Sequence, residues 1–372
     1  MDAARSAARL KSTVRRAART ATDSADFRTH ILDALREQVP FDGGVVALLD
    51  PAVRVPTAAT NIGFDDNAGK LCAELEYGPD PDTFSFDELF RRPGGICSVR
   101  QVTGGRFRTS RPYREFLEPI GVDDDVRMLL RSRDGTCWGV AELSRSEMAA
   151  FTEAEIGILA AVLRDIGDGL RTSLLRQAAY TNSDSDDGPA VVIVDDHDEV
   201  AMTTPAARDY FDRLGWTASA RPAGELLVRF IAMRVRSSGG GPVVVRARTL
   251  DGEWVVLRAV GTADGTGSPG VVVNIERAHL PEVVTFIAAA HGLSARETDV
   301  VRQVLAGRTR EEIGRALFIS PYTVQDHLKS IFAKTGMHSR RDLVARLAWS
   351  HYVPRLGDPV ASDGSFAAAS SG

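Results

Sequence analysis

Apolar residues follow two periods along this chain, and the changes of period divide it. Phe27, Ile31 and Leu35 fall on one helical face, while Gly44–Leu49 is an unbroken apolar run ended by Asp50-Pro51, which predicts a buried strand. Val126–Leu130 and Trp138–Leu143 flank Arg133-Asp134-Gly135, the pattern of a hairpin with a turn glycine. Phe151-Thr152 then opens a long helix, with Thr152 and Glu155 spaced as a capping box. Along that helix Ile156, Leu159, Leu163, Ile166 and Leu170 repeat at three and four residues, the seam of a two-helix coiled coil and hence a dimerisation surface. The same seam also suits a helix laid on its own sheet, and a helix this long has room for both.

Thr181–Gly188 reads as an acidic, turn-rich linker. Beyond it, strands are predicted at Ala190–Val194 and Glu199–Met202, then a helix opening at Thr204-Pro205 and ending near Gly215. A second helix, about Glu225–Val235, precedes the glycine-rich turn Ser237–Gly241. Three β-rich runs follow: Pro242–Leu250, Glu253–Val260 and Val271–Arg277. Asp251-Gly252 joins the first two as a tight hairpin. No internal repeat is evident, and residues 354–372, rich in Pro, Gly, Ser and Ala, are predicted to be disordered.

Helical spacing returns between Leu293 and Leu347, now with marked starts. Ser294 with Glu297 and Thr309 with Glu312 have capping-box spacing, Ser320 precedes Pro321, and Ser339 follows Gly336 as a fourth cap. Four helices are expected, with a helix-turn-helix at about 311–330. Turning Val324, Leu328 and Ile331 inward leaves Tyr322, Gln325, Asp326 and Lys329 together on the outer face of the third helix. An amide suited to adenine and a carboxylate suited to cytosine, with cations beside them, are what a helix entering a major groove needs. Tyr322 and Thr323 lie in the first turn, where hydroxyls and free N–H groups meet phosphate. His327 sits between the two faces, equally placed to pack and to donate to a phosphate. Arg340 and Arg341 stand beside a helix start.

Charge sharpens this picture. Residues 291–350 hold ten Lys or Arg against six Asp or Glu, a net of +4 in a chain of net −5, so the remainder is near −9 and the positive field is local. At 372 residues and 44% hydrophobic content the chain has room for two or three domains. No apolar run approaches the ~20 residues of a membrane span. The N-terminal stretch 1–23 carries Arg5, Arg9, Lys11, Arg15, Arg16 and Arg19 in place of a signal-peptide core, and reads as a basic helix, solvated or laid against a partner; its charges have the chemistry to touch DNA, but a solvated face is the plainer reading of the sequence. Cys72, Cys97 and Cys137 have no metal-ligand spacing and fit a reduced cytoplasm.

Several motifs together carry a resemblance. Leu-Ser-Ala-Arg-Glu from Leu293, Glu312-Ile313, Ile319-Ser320, Thr323-Val324, His327, Lys334, and Arg340 with Leu343-Val344 resemble the DNA-binding domain of LuxR-type transcription regulators. Gly314 replaces the usual alanine, at a helix-propensity cost of ~1 kcal/mol, and Thr335 the usual leucine. The resemblance implies an all-α four-helix domain over 289–353 that binds double-stranded DNA, with Lys334 and Arg340 in the binding set. The upstream order of elements resembles a GAF domain, an α/β fold, over about 24–180, with Gly94-Gly95 and Gly104-Gly105 in the part that usually builds its pocket. Residues 189–280 resemble a PAS domain, also α/β.

Val191–His197 imitates the opening strand of a phospho-accepting receiver domain, yet no lysine occurs between Lys70 and Lys329 to hold a phosphoryl group. No G-x-x-x-x-G-K-[ST] phosphate loop is present either. The expected molecule is therefore a multidomain, non-enzymatic, cytoplasmic transcription regulator without a cofactor. Its expected partners are DNA, a second copy of itself, RNA polymerase indirectly and an unidentified small ligand, with no membrane. The alternative is a signalling or phosphotransfer protein with an appended DNA-binding domain.

Overall fold

The computed structural model describes residues 3–64, 72–74, 76–77, 85–109, 113–119, 121–146, 150–176, 188–214, 216–217, 223–263, 269–278 and 280–344. The expected linker, except Gly188, and the expected disordered tail lie outside the described residues. Contacts divide the chain into two compact units: 1–177 with 189–250 and 255–276, and a second dominated by 277–372.

In the first unit the basic stretch is a helix, α1 (Ala3–Thr20), laid against its own chain through Ser6, Leu10, Val14 and Ala17. Asp23 caps α2 (Ser24–Gln38) by accepting from the backbone N–H groups of Ala25 and Asp26 at 2.8 and 2.9 Å. Phe27, Ile31 and Leu35, the face the spacing picks out, are fully buried. The chain continues through β1 (Gly43–Asp50), β2 (Val55–Ile62), α3 (Phe86–Arg91), β3 (Ile96–Ser98), α4 (Val99–Thr103), β4 (Asp124–Arg131) and β5 (Cys137–Arg145). These strands lie in the order β3-β4-β5-β1-β2, with Gly135 at φ 89° turning the predicted β4–β5 hairpin.

The long seam helix is two helices, α5 (Glu153–Ala160) and α6 (Leu163–Arg176). Ile156, Leu159, Leu163, Ile166 and Leu170 are all buried inside their own chain, where the helices pack on α1, α2, β4 and β5. Two glycines explain why. A Cβ at Gly167 would collide with the Arg131 carbonyl, and one at Gly169 with the Phe27 ring, so α6 lies too close to sheet and α2 for any larger residue. This corrects the reading of the seam as a dimerisation surface, because the face that a partner helix would cover is already filled.

The second half of the unit runs β6 (Ala190–Val194), β7 (Val200–Thr203), α7 (Pro205–Arg213), β8 (Trp216–Thr217), α8 (Ala223–Ser237), β9 (Val243–Arg248), β10 (Trp254–Ala263) and β11 (Pro269–Arg277). Its sheet order is β7-β6-β11-β10-β9. Setting β8 aside, that is second-first-fifth-fourth-third, the same order as the first sheet, a kinship invisible as sequence repetition. β6 is antiparallel to both β7 and β11, unlike the opening strand of a receiver's doubly wound parallel sheet. Asp195 there caps a turn, accepting from the His197 and Glu199 backbone N–H groups at 2.9 and 3.0 Å.

The two α/β halves share structure. β8 pairs in parallel with the edge of β2 at Ala59↔Trp216 and Thr60↔Thr217. Fully buried Asp50 accepts from the Arg246 backbone N–H at 2.8 Å and its guanidinium at 3.3 Å. Val55 and Ala73 sit in the core of the second half, and Tyr77 meets Phe230 edge-on at 6.0 Å.

The second unit contains α9 (Leu280–Ala290), α10 (Ala295–Leu305), α11 (Arg310–Leu317) and α12 (Pro321–Thr335), followed by helical residues 340–344. Helix α9 is an element that the spacing does not predict. Among the described residues no helix is long and apolar enough to cross a membrane.

Candidate nucleic-acid interface

The predicted caps of the second unit all form. Ser294 and Glu297 close a capping box on α10, Thr309 and Glu312 another on α11, and the Ser320 hydroxyl accepts from the Thr323 N–H at 3.0 Å with Pro321 in the first turn of α12. Ser339 accepts from the Asp342 N–H at 3.0 Å, starting the last helix. Between α11 and α12 the chain turns in three residues, with Phe318 in the left-handed region at φ 55°. The turn is tight because the Ile319 N–H bonds the Gly314 carbonyl at 2.9 Å, and a Cβ on Gly314 would come within 2.7 Å of the Ile319 oxygen. The glycine that weakens α11 therefore also permits this close return.

Val324, Leu328 and Ile331 of α12 are buried with Ile313, Val300, Val301 and Val304. That packing leaves Tyr322, 86% exposed, with Thr323, Asp326 and Lys329 on the solvent side, and Gln325 and His327 half-buried at its margins. Asp326 and Lys329 pair at 3.3 Å, with 74% and 69% of their side chains exposed, so solvent screens the pair heavily. His327 has no hydrogen-bond partner among the described residues. Gln325 is held: Arg310 Nη1 donates to its Oε1 at 3.1 Å. That bond occupies the amide oxygen and fixes which way the side chain points. Arg310, Gln325 and Arg340 share a groove of about 350 Å³ with Thr309, Glu311, Leu328 and Phe332, and Arg341 stands exposed beside it.

Lys334 belongs elsewhere. Its Nζ donates to both oxygens of Glu297, at 2.9 and 2.7 Å, while the Ser330 hydroxyl donates to Oε1 at 2.6 Å and the Ser294 N–H to Oε2 at 2.7 Å. Burial acts to raise the Glu297 pKa, but the bonds from Lys334, Ser330 and Ser294 outweigh it and hold the carboxylate down at about 2. The amine expected at the DNA is thus engaged in joining α12 to the start of α10. Glu297 as a hub, Arg310 as the orienter of Gln325, and the 95% exposed Phe318 are features that spacing alone does not mark.

A short helix-turn-helix with a polar, cation-bearing face on its second helix defines a DNA-binding domain. Residues 291–347 match the luxR family of bacterial regulatory proteins, which makes this domain a LuxR-type helix-turn-helix. An HTH-type transcriptional regulator described in Mycobacterium bovis is 46% identical over 56 residues, covering 15% of this chain and 6% of its own length. The monoamine regulon transcriptional regulator of Klebsiella aerogenes is 44% identical over 54 residues, covering 14% of this chain and 24% of its own. The chain thus spans a small part of the relatives it matches. Escherichia coli SdiA aligns over 89% of this chain and 92% of its own at 14% identity, with a TM-score of 0.30.

Proposed function

We propose that this chain is a sequence-specific DNA-binding regulator of transcription that places α12 in the major groove. The observation that carries the reading is the outer face of α12, where Gln325 is held by Arg310 beside exposed Tyr322, Thr323, Asp326 and Lys329, on a domain that matches the luxR family. Arg340 and Arg341 supply phosphate contacts at the rim, and half-buried His327 adds one if its ring turns outward.

Upstream, the two sheets with one strand order support GAF-like and PAS-like folds that receive a small-molecule signal. The chain acts by binding and not by catalysis. Burial pushes the Cys97 and Cys137 thiols up to about 11, which supports inert rather than reactive cysteines. Two copies on one duplex, with RNA polymerase reached indirectly, is the arrangement that suits the domain. The contact between copies is then made by a surface other than the buried α5–α6 seam.

The test is selection of bound sequences from a randomised duplex library, followed by gel shift of the selected and scrambled duplexes at fixed salt. A consensus bound at least a thousandfold more tightly than scrambled sequence supports the reading. Equal binding to both duplexes overturns it.

A further inference from the structure

Helix α1 sorts its cations into two sets. Lys11 and Arg15 turn toward Asp165 of α6, with Arg15 Nε 2.8 Å and Lys11 Nζ 3.6 Å from its carboxylate. Arg5, Arg9, Arg16 and Arg19 are exposed and form no ion pair among the described residues. At 100° per residue these four fall within an arc of about 80°, away from the buried Leu10, Val14 and Ala17. Residues 3–20 contain no Asp or Glu, so nothing along the helix neutralises the row. At 1.5 Å per residue the row is about 21 Å long.

We propose that Arg5, Arg9, Arg16 and Arg19 form a second, sequence-independent contact for the phosphate backbone of DNA. Four like charges aligned on one face repel one another, and a chain of net −5 has no general basic character to account for them. Duplex DNA offers one negative charge per about 1.7 Å of axis, a match for a long row of guanidinium groups. A lipid surface fits less well. A helix that lies in a bilayer interface must bury its apolar face there, and the apolar face of α1 is already packed against α2 and α6. DNA is also the polyanion that the α12 interface calls for, although the stripe does not depend on α12 docking.

The experiment replaces all four arginines with glutamine in the full chain and measures affinity for a random duplex across salt concentration. The log–log slope becomes shallower by between about 1.8 and 3.6, at about 0.9 per lost phosphate contact. The consensus selected from a library stays the same, and Lys329→Ala removes a further ~0.9, which separates failure of the stripe from failure of α12. A matching Arg→Lys variant retains the slope. If the glutamine variant loses its circular dichroism, the pair Arg16→Gln and Arg19→Gln is measured instead, with a change of about 1.8 expected. An unchanged slope overturns the proposal. So does an unchanged DNA slope combined with loss of binding to phosphatidylserine vesicles, or with an altered sedimentation coefficient, which would assign the stripe to lipid or to a second copy.

Discussion

Lys334 Nζ, on the last turn of α12, lies 2.7 Å from Glu297 Oε2 in the first turn of α10. The pair ties the carboxyl end of α12 to the amino end of α10. The carboxylate is 6% exposed and accepts four hydrogen bonds from three other residues.

This pair sets a pH dependence with a definite sign. Glu297 has a folded pKa of about 2, below its ordinary 4.5, so its contribution is complete above pH 4.5 and is lost as pH falls toward 2. The loss is on the order of 2 kcal/mol, discounted for the partial exposure of Lys334. Hydrogen-exchange protection of the α10 and α12 amides, followed from pH 6 down to about pH 2.5, checks this. Glu297→Gln flattens the dependence.

Lys329 and Lys334 sit five residues apart and have opposite roles. Lys329→Ala makes the log–log salt slope of DNA binding shallower by about 0.9. Lys334→Ala leaves the slope unchanged and lowers thermal stability instead. Titrations over a range of salt concentrations, with unfolding curves for both variants, separate the two.

Gln325→Ala relaxes base preference at one position per half-site by ~1–3 kcal/mol. Arg310→Ala releases the amide oxygen and gives a smaller loss at the same position. Asp326→Ala removes an exposed carboxylate from the outer face of α12 and frees Lys329, so it tightens binding to random sequence and narrows discrimination. Library selection with each variant at fixed salt reads all three. Unaltered preference in Gln325→Ala places base reading in Tyr322 or DNA shape.

Leu163→Asp puts a charge among residues that are buried within a single chain. The expected outcome is loss of folded structure in the first unit by circular dichroism, at every protein concentration. A folded variant that sediments at half the wild-type mass would restore the seam as an interface.

Arg127 is 1% exposed and contacts Glu76 at 2.6 Å, with Asp125 and Glu142 each at 3.5 Å. Arg127→Met strands three carboxylates around an apolar side chain and costs about 3–5 kcal/mol, measurable by urea denaturation. Arg127→Lys recovers only part of that, because an ammonium is a point charge without the spread of the guanidinium's three nitrogens.

Periodicity and caps made the elements legible wherever the signal is local. Ser294, Thr309 and Ser320 mark helix starts that the structure keeps, and Asp50-Pro51 ends a strand where expected. Long-range relations were not legible. The 3–4 spacing of Ile156 to Leu170 is the same whether a helix faces a sheet or a twin; only Gly167 and Gly169, poor residues for a coiled coil, hint at which. Lys334 matches a family position, but its partner Glu297 lies 37 residues away, and no spacing rule connects them. Gln325 was legible on the outer face, whereas Arg310, which orients it, was not. The edge pairing of β2 with β8 joins residues more than 150 positions apart.

That edge pairing bears on how the protein is dissected. A fragment ending in the linker would carry β2 without its neighbour, leaving Ala59 and Thr60 with bare backbone donors and acceptors and exposing Val55 and Ala73 to water. An uncapped strand beside newly wetted apolar residues is a template for edge-to-edge association. Self-association of such a fragment would then report the wound left by cutting, and the oligomeric state is properly measured only on a chain that retains Trp216 and Thr217.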